Sequence, residues 1–158
     1  MKKILVISDS HIPTRANTDI LQRINFKNYD IIISAGDIVE ENTYFEMINQ
    51  EAEFFGVQGN MDDYYIKEKL PLTKIVQIQN IKIGIIHGHQ TGIAKPEKLI
   101  KYFKPKIDIM IFGHSHNVFD KTINEIRVIN PGAFCDGYFA EIYVEENEVK
   151  INFEKIDL

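Results

Sequence analysis

The sequence has one cysteine, Cys135, and no tryptophan. A single thiol cannot close an internal disulfide, so the fold does not rest on cross-links, and a thiolate zinc finger is excluded as well. Long hydrophobic runs are also missing. Met1-Lys2-Lys3 followed by Ile4 to Ile7 opens like a signal peptide, but the apolar run stops at Ser8-Asp9-Ser10-His11, too short for a signal's hydrophobic region. No stretch is long enough to span a bilayer. A cytoplasmic protein with no membrane partner is expected. Positive charge is in deficit: 18 Lys and Arg against 23 Asp and Glu leave a formal net charge of -5. That disfavours nucleic-acid binding by bulk electrostatics. A small phosphate-bearing substrate stays open, because bound cations reverse the local sign. Low-complexity tracts, internal repeats and long linkers are absent from the sequence.

What is present suffices for one core. Of the 158 residues, 44% are hydrophobic, which fits a single domain over residues 1–158. The pattern alternates strand and helix, with hairpins near the end, as in α/β proteins. Lys3 to Ser8, Asp30 to Ala35 and Ile107 to Phe112 read as buried strands, and Glu53 to Val57 as a further strand. Lys74 to Ile78 and Lys82 to His87 read as neighbours joined at Asn80. Thr122 to Ile129, Phe139 to Val144 and Val149 to Ile156 read as late strands, with a turn at Glu146-Asn147. Asn17 is placed to cap a helix through Ile20, Leu21 and Ile24. Glu40 to Glu51 reads as a helix, and Pro96 opens another through Leu99, Ile100 and Phe103.

Ionisable residues fall where those strands end. All five histidines, His11, His87, His89, His114 and His116, lie directly after predicted strands. Asp9 and His11 end the first strand, Gly36-Asp37 the second and Gly59-Asn60 the third. His87-Gly88-His89 and Gly113-His114-Ser115-His116 end two later ones. The crevice beyond strand ends is where ligands bind in open α/β sheets. Carboxylates and imidazoles bind divalent first-row cations, and asparagine adds a neutral oxygen. If extended geometry continues past the strand ends, the spacing of two would put Asp9 with His11, and His114 with His116, on one face. Each fragment alone is most simply a turn or a capped loop. Five of them in order, all at strand ends, are not.

The order Asp9-Ser10-His11, Gly36-Asp37, Gly59-Asn60-Met61-Asp62, His87-Gly88-His89, Gly113-His114-Ser115-His116 resembles the calcineurin-like metallophosphoesterase superfamily. Asp9-Ser10-His11-Ile12-Pro13, Ile86-His87-Gly88-His89-Gln90 and Asn130-Pro131-Gly132-Ala133 look like its compact YfcE-type phosphodiesterases, to which the eukaryotic retromer scaffold subunit is related. The resemblance runs from Lys3 to about Phe139. It implies a four-layer sandwich of two mixed β-sheets flanked by helices. It also implies two divalent cations per chain: Asp9, His11 and His116 would hold one, Asn60, His87 and His114 the other, and Asp37 both. The ligand set suits manganese, nickel, iron, cobalt or zinc, with manganese favoured. The implied activity is hydrolysis of a small phosphate ester, a diester before a monoester, by a hydroxide activated between the cations. The alternative is a catalytically weak or inactive protein-binding scaffold like the retromer relative. Small members of the family often pair, so a homodimer is left open.

One departure bears on mechanism. Many relatives carry a leaving-group histidine where this chain has Met61, which donates no proton. His89 is expected at the rim, facing substrate, as a substitute. Asp62 is expected to orient a ligand histidine. Arg15, just past the first cluster, reads either as a phosphate contact or as an ordinary surface arginine. Asn130-Pro131-Gly132 reads as a turn that shapes the site. Cys135 reads as a small buried residue, and Phe54, Phe55, Tyr64 and Tyr65 as packing.

Overall fold

The computed structural model describes residues 1–158, the side chain of Thr18 excepted. Strand β1 (Lys2–Ile7) pairs in parallel with β2 (Ile31–Ser34), and β2 in parallel with β3 (Glu53–Gly56). Strands β9 (Tyr138–Glu145) and β10 (Glu148–Lys155) add to the other side of β1 in antiparallel register, giving the order β10-β9-β1-β2-β3. The second sheet has the order β4-β5-β6-β8-β7. Its strands are β4 (Thr73–Ile78), β5 (Ile81–Ile86), β6 (Ile109–Ile111), β7 (Phe119–Ile123) and β8 (Ile126–Asn130). Within it β5, β6 and β8 run parallel.

The mixed sheets bury both faces, which is why β1, β2 and β6 read as unbroken apolar runs rather than alternating ones. Along β1 the side chains still sort by parity. Ile4 and Val6 join Ile83, Ile85, Ile109 and Ile111 of the second sheet in the core between the sheets. Leu5 and Ile7 face outward, onto Leu21, Met47 and Ile66. Met47 lies on α1 (Glu41–Ile48) and Ile66 on α2 (Tyr64–Lys69). The outer face of the second sheet buries Met110 and Val128 against Leu99 of α3 (Pro96–Leu99). Helical segments and two sheets thus form the four layers expected.

Local structure departs from the sequence reading in four places. Residues Thr18–Arg23 form a 3-10 turn rather than an α-helix, and the Asn17 side chain makes no capping bond. The helix at Pro96 lasts one turn before tightening to 3-10 geometry at Ile100–Tyr102. Helix α2 had no hydrophobic period to reveal it. It starts because Asp63 accepts the Ile66 N–H at 3.0 Å, an N-cap. The strand read over Thr122 to Ile129 is a hairpin: β7 and β8 turn at Asn124 (φ 51°) and Glu125 (φ 67°). Two left-handed residues match the twist of a tight hairpin, but Glu125 is not a residue that advertises one.

Parallel pairing then does the positioning. Because β1 and β2 run together, Asp9 and Asp37 leave the sheet side by side, with Asp9 N–H donating to Gly36 O at 3.0 Å and His11 N–H to Asp37 O at 3.1 Å. In the second sheet Gly113 N–H donates to His87 O at 2.8 Å. The sheets are tied at this end by Phe134 N–H to Ser8 O at 2.8 Å and Cys135 N–H to Asp9 O at 3.2 Å.

Candidate metal centre

The residues beyond these strand ends do not continue in extended form. Asp9 (φ 55°), His11 (φ 44°), Asp37 (φ 55°), His114 (φ 70°) and His116 (φ 63°) all sit in the left-handed region. The expectation that extended spacing aligns Asp9 with His11 and His114 with His116 is therefore wrong. Each chain coils sharply as it leaves the sheet, and the side chains meet because of that coil. Left-handed backbone at non-glycine residues is costly and concentrates at functional sites. The glycines serve the same convergence. A Cβ on Gly113 would overlap the Ser8 hydroxyl and the Asp9 carboxylate, and one on Gly36 (φ 104°) would overlap the His87 ring.

Two donor groups result. Asp9, His11 and His116 form one, and Asp37, His87 and His114 the other, with the ligand atoms of each within 4.8 Å of one another. Asp9 Oδ1 lies 3.6 Å from His11 Nε2 and 3.4 Å from His116 Nε2. Asp37 Oδ2 lies 3.1 Å from His87 Nε2 and 3.5 Å from His11 Nε2, so one carboxylate oxygen faces both groups. Metal–ligand bonds of about 2.0–2.2 Å put neighbouring donors roughly 3–3.6 Å apart, so these separations suit cations. Asp9 Oδ1, His11 Nε2 and His87 Nε2 are buried and make no hydrogen bond. An unpartnered buried polar atom costs about 1–3 kcal/mol, and three converging on one place fit a cation rather than a packed core.

Known proteins bear on this donor set. The model of the calcineurin-like phosphoesterase superfamily domain matches residues 1–144. The chain belongs to that superfamily. A phosphodiesterase of Methanocaldococcus jannaschii is 30% identical over 151 residues, covering 89% of this chain and 88% of its own. The solution structure of a Thermotoga maritima protein superposes with a TM-score of 0.81 at 32% identity, covering 99% of this chain and 100% of that one. Vps29 from Entamoeba histolytica, solved in complex with zinc, gives 0.78 at 26% identity with 98% of each chain covered.

In this metallophosphoesterase four of the ligand candidates, Asp9, Asp37, His87 and His114, have their second face fixed by the protein. His87 Nδ1 lies 2.7 Å from the Ala35 carbonyl. A carbonyl only accepts, so Nδ1 carries the proton and Nε2 is left as a donor to metal, an arrangement common among metal-bound imidazoles. His114 is the mirror case. Its Nε2 lies 2.8 Å from the Gly92 carbonyl, which leaves Nδ1 for a cation. Asp9 Oδ2 accepts from Ser8 Oγ at 2.7 Å and from the His114 N–H at 3.0 Å, which turns Oδ1 toward the histidines. Asp37 Oδ1 accepts the Met61 N–H at 2.8 Å, which turns Oδ2 the same way.

Two supporting residues play parts the sequence did not reveal. Asp62 does not orient a histidine. Its carboxylate accepts the backbone N–H groups of Val39 at 2.7 Å, Gly59 at 2.7 Å and Asp37 at 3.2 Å, and so pins the loops after β2 and β3 together. Asn130 is more than a turn residue. It is fully buried, donates to Gly113 O at 3.2 Å and Ser115 Oγ at 3.1 Å, and accepts the Gly132 N–H at 2.9 Å. It clamps the loop that carries His114 and His116. Ser8 was also missed, and its only signal was a hydroxyl ending an apolar strand.

The remaining candidates lie further out. Asn60 is exposed in the turn after β3, where its carbonyl accepts from Lys67 Nζ at 3.3 Å. His89 is half-buried, its ring centroid 5.5 Å from that of His87, with Nδ1 making no hydrogen bond. Arg15 is exposed on the loop after His11, and its charge is felt at His116. Cys135 is buried, and burial pushes its thiol up to about 11, so it does not read as a nucleophile.

The electrostatics are those of carboxylates waiting for positive charge. Burial alone would raise Asp9, but the imidazoles of His11 and His116 close to Oδ1, with the charge of His87, hold it well below the usual range. Burial likewise raises Asp37, and the His87 imidazole 3.1 Å away outweighs it. His87 is raised: burial opposes its charge, and Asp37 and Asp9 overcome that. The Asp9 carboxylate, 3.4 Å from Nε2, raises His116. A depressed carboxyl contributes stability above its unfolded value of about 4 that is lost as pH falls through the folded one; a raised imidazole contributes stability below about 6.5 that is lost as pH rises through the folded one. Without metal the centre thus loses its own counter-charge as pH rises, while the protons that compete with metal also leave. The melting-temperature gain on adding manganese should therefore grow from about pH 6 to about pH 8.5. A gain independent of pH, in thermal melts with and without metal, would contradict this. Asn130→Ala strands buried loop groups, so it should cost about 1–3 kcal/mol in denaturant titrations and weaken manganese binding; an unchanged midpoint would deny it the clamping role.

Proposed function

We propose that this metallophosphoesterase is an active hydrolase with two divalent cations, manganese favoured, and that it cleaves phosphodiesters in preference to monoesters. The observation that carries the reading is Asp37 Oδ2, which faces His87 Nε2 at 3.1 Å and His11 Nε2 at 3.5 Å, one from each donor group. Asp9, His11 and His116 would hold one cation, His87, His114 and Asn60 the other, and Asp37 both. When bound, the pair supplies Lewis acidity to the phosphoryl oxygens and an activated water for in-line attack. The chain itself orients that pair. Ser8 and the His114 N–H aim Asp9, the Met61 N–H aims Asp37, and the carbonyls of Ala35 and Gly92 set the histidine tautomers. The diester preference draws support from the Methanocaldococcus phosphodiesterase, which matches over 89% of this chain.

A second reading, a protein-binding scaffold, draws support from the likeness to Vps29. One assay separates the two. Metal-stripped protein given manganese or nickel should hydrolyse a chromogenic aryl phosphodiester, and Asp37→Asn should lower kcat/KM by about 100-fold or more, because it would weaken the hold on both cations and with it the charge stabilisation they supply. Folded, metal-binding protein with no turnover on any metal would favour the scaffold.

Leaving-group chemistry gives a separate test. Met61 is 58% exposed and supplies only its N–H to the site, so protonation of a departing alkoxide is weak. Aryl diesters should be cleaved much faster than alkyl diesters, with kcat falling steeply as the leaving-group pKa rises. Equal rates across that series would show that another residue, His89 first among them, donates the proton.

A further inference from the structure

A third donor set borders the two already described. His116, Cys135 and Asp136 each offer a ligand atom, and these atoms lie within 4.8 Å of one another. The turn Phe134–Asp136 that carries two of them is held rigidly: the Cys135 N–H is tied to Asp9 O at 3.2 Å, the Phe134 N–H to Ser8 O at 2.8 Å and the Asp136 N–H to Ala133 O at 3.0 Å. The thiol is thus held against the centre by the backbone bonds that join the two sheets. It also has access to solvent. Cys135 is 6% exposed but lines a cavity of about 560 Å³ with Pro13, Arg15 and Ile20, and Asp136 is exposed.

We infer that His116, Cys135 and Asp136 form an inhibitory site for a soft divalent cation, zinc or cadmium by class, that competes with the catalytic pair for His116. The donor chemistry sets the selectivity. The two groups already described offer only nitrogen and oxygen, which suit manganese; a thiolate adds a ligand that selects zinc-like ions. Binding forms one metal–sulfur bond and releases the thiol proton to solvent, with no change of oxidation state. His116 Nε2 lies 3.4 Å from Asp9 Oδ1, so a cation drawing on His116 either takes that donor from the Asp9 group or sits close enough to repel a cation held there. Either way activity falls while manganese alone leaves it intact. The inhibitory consequence rests on the hydrolase reading; the site itself does not.

Cadmium reports thiolate ligation directly, through a sulfur-to-metal charge-transfer band in the ultraviolet. Manganese-loaded wild type titrated with cadmium should develop that band at one equivalent, and Cys135→Ser should not. In parallel, the zinc concentration that halves manganese-supported turnover should rise by about 10–100-fold or more in Cys135→Ser, since losing a ligand costs no less than losing a group that orients one. Asp136→Ala, exposed and safe to alter, should keep the band but weaken cadmium binding. A wild type without the band overturns the site, whatever the turnover shows. A band in wild type together with equal zinc inhibition in wild type and Cys135→Ser overturns the inhibitory role.

Discussion

Two like charges in one buried place are the constraint on which the structure turns. The parallel strands β1 and β2 deliver Asp9 and Asp37 side by side, both almost completely buried, and the charge of Asp9 opposes ionisation of Asp37. Buried carboxylates cannot stay ionised without a compensating cation or dense hydrogen bonding. Here the protein supplies one oxygen of each with donors, Ser8 Oγ and the His114 N–H on Asp9, the Met61 N–H on Asp37. The other oxygen of each is left to the histidines. That division makes the site acidic enough to bind cations and ordered enough to fix where they go.

The sandwich exists to hold those oxygens still. The apolar strands pack on both faces, and their parallel pairing brings separate motifs to one end of the molecule. Backbone bonds from the Phe134–Asp136 turn to Ser8 and Asp9 lock the second sheet against the first at that end. The left-handed residues Asp9, His11, Asp37, His114 and His116 are sustained by this framework, since local strain persists only where its surroundings over-determine it. The same geometry, by bringing Cys135 beside His116, exposes the centre to ions that prefer sulfur.

Much of this was legible in the sequence, for physical reasons. Strands buried on both faces announce themselves as apolar runs, so β1, β2 and β6 are legible close to where they lie. Ligand candidates announce themselves as ionisable residues where such runs stop, so Asp9, Asp37, His87 and His114 were found. What stayed hidden depends on contacts remote in sequence or on unusual backbone. Nothing in Gly59-Asn60-Met61-Asp62 shows that the Val39 and Asp37 amides come to meet Asp62. Asn130 looked like half of an Asn-Pro turn; its bonds to Gly113 and Ser115 exist only after β6 and β8 pair. The hairpin at Asn124-Glu125 lacks the glycine that would mark it. The coiled exits of Asp9 and His11 could not be inferred from spacing, which argued for extended chain.

The central claim is that one carboxylate, Asp37, joins two cations. Electron paramagnetic resonance of the protein loaded with manganese tests it most directly, because two ions sharing a ligand couple their spins and two separate ions do not. The account predicts two manganese ions per chain with an exchange-coupled spectrum, and its collapse to an uncoupled signal in Asp37→Asn. A wild type that binds a single manganese ion, or two that never couple, would contradict it.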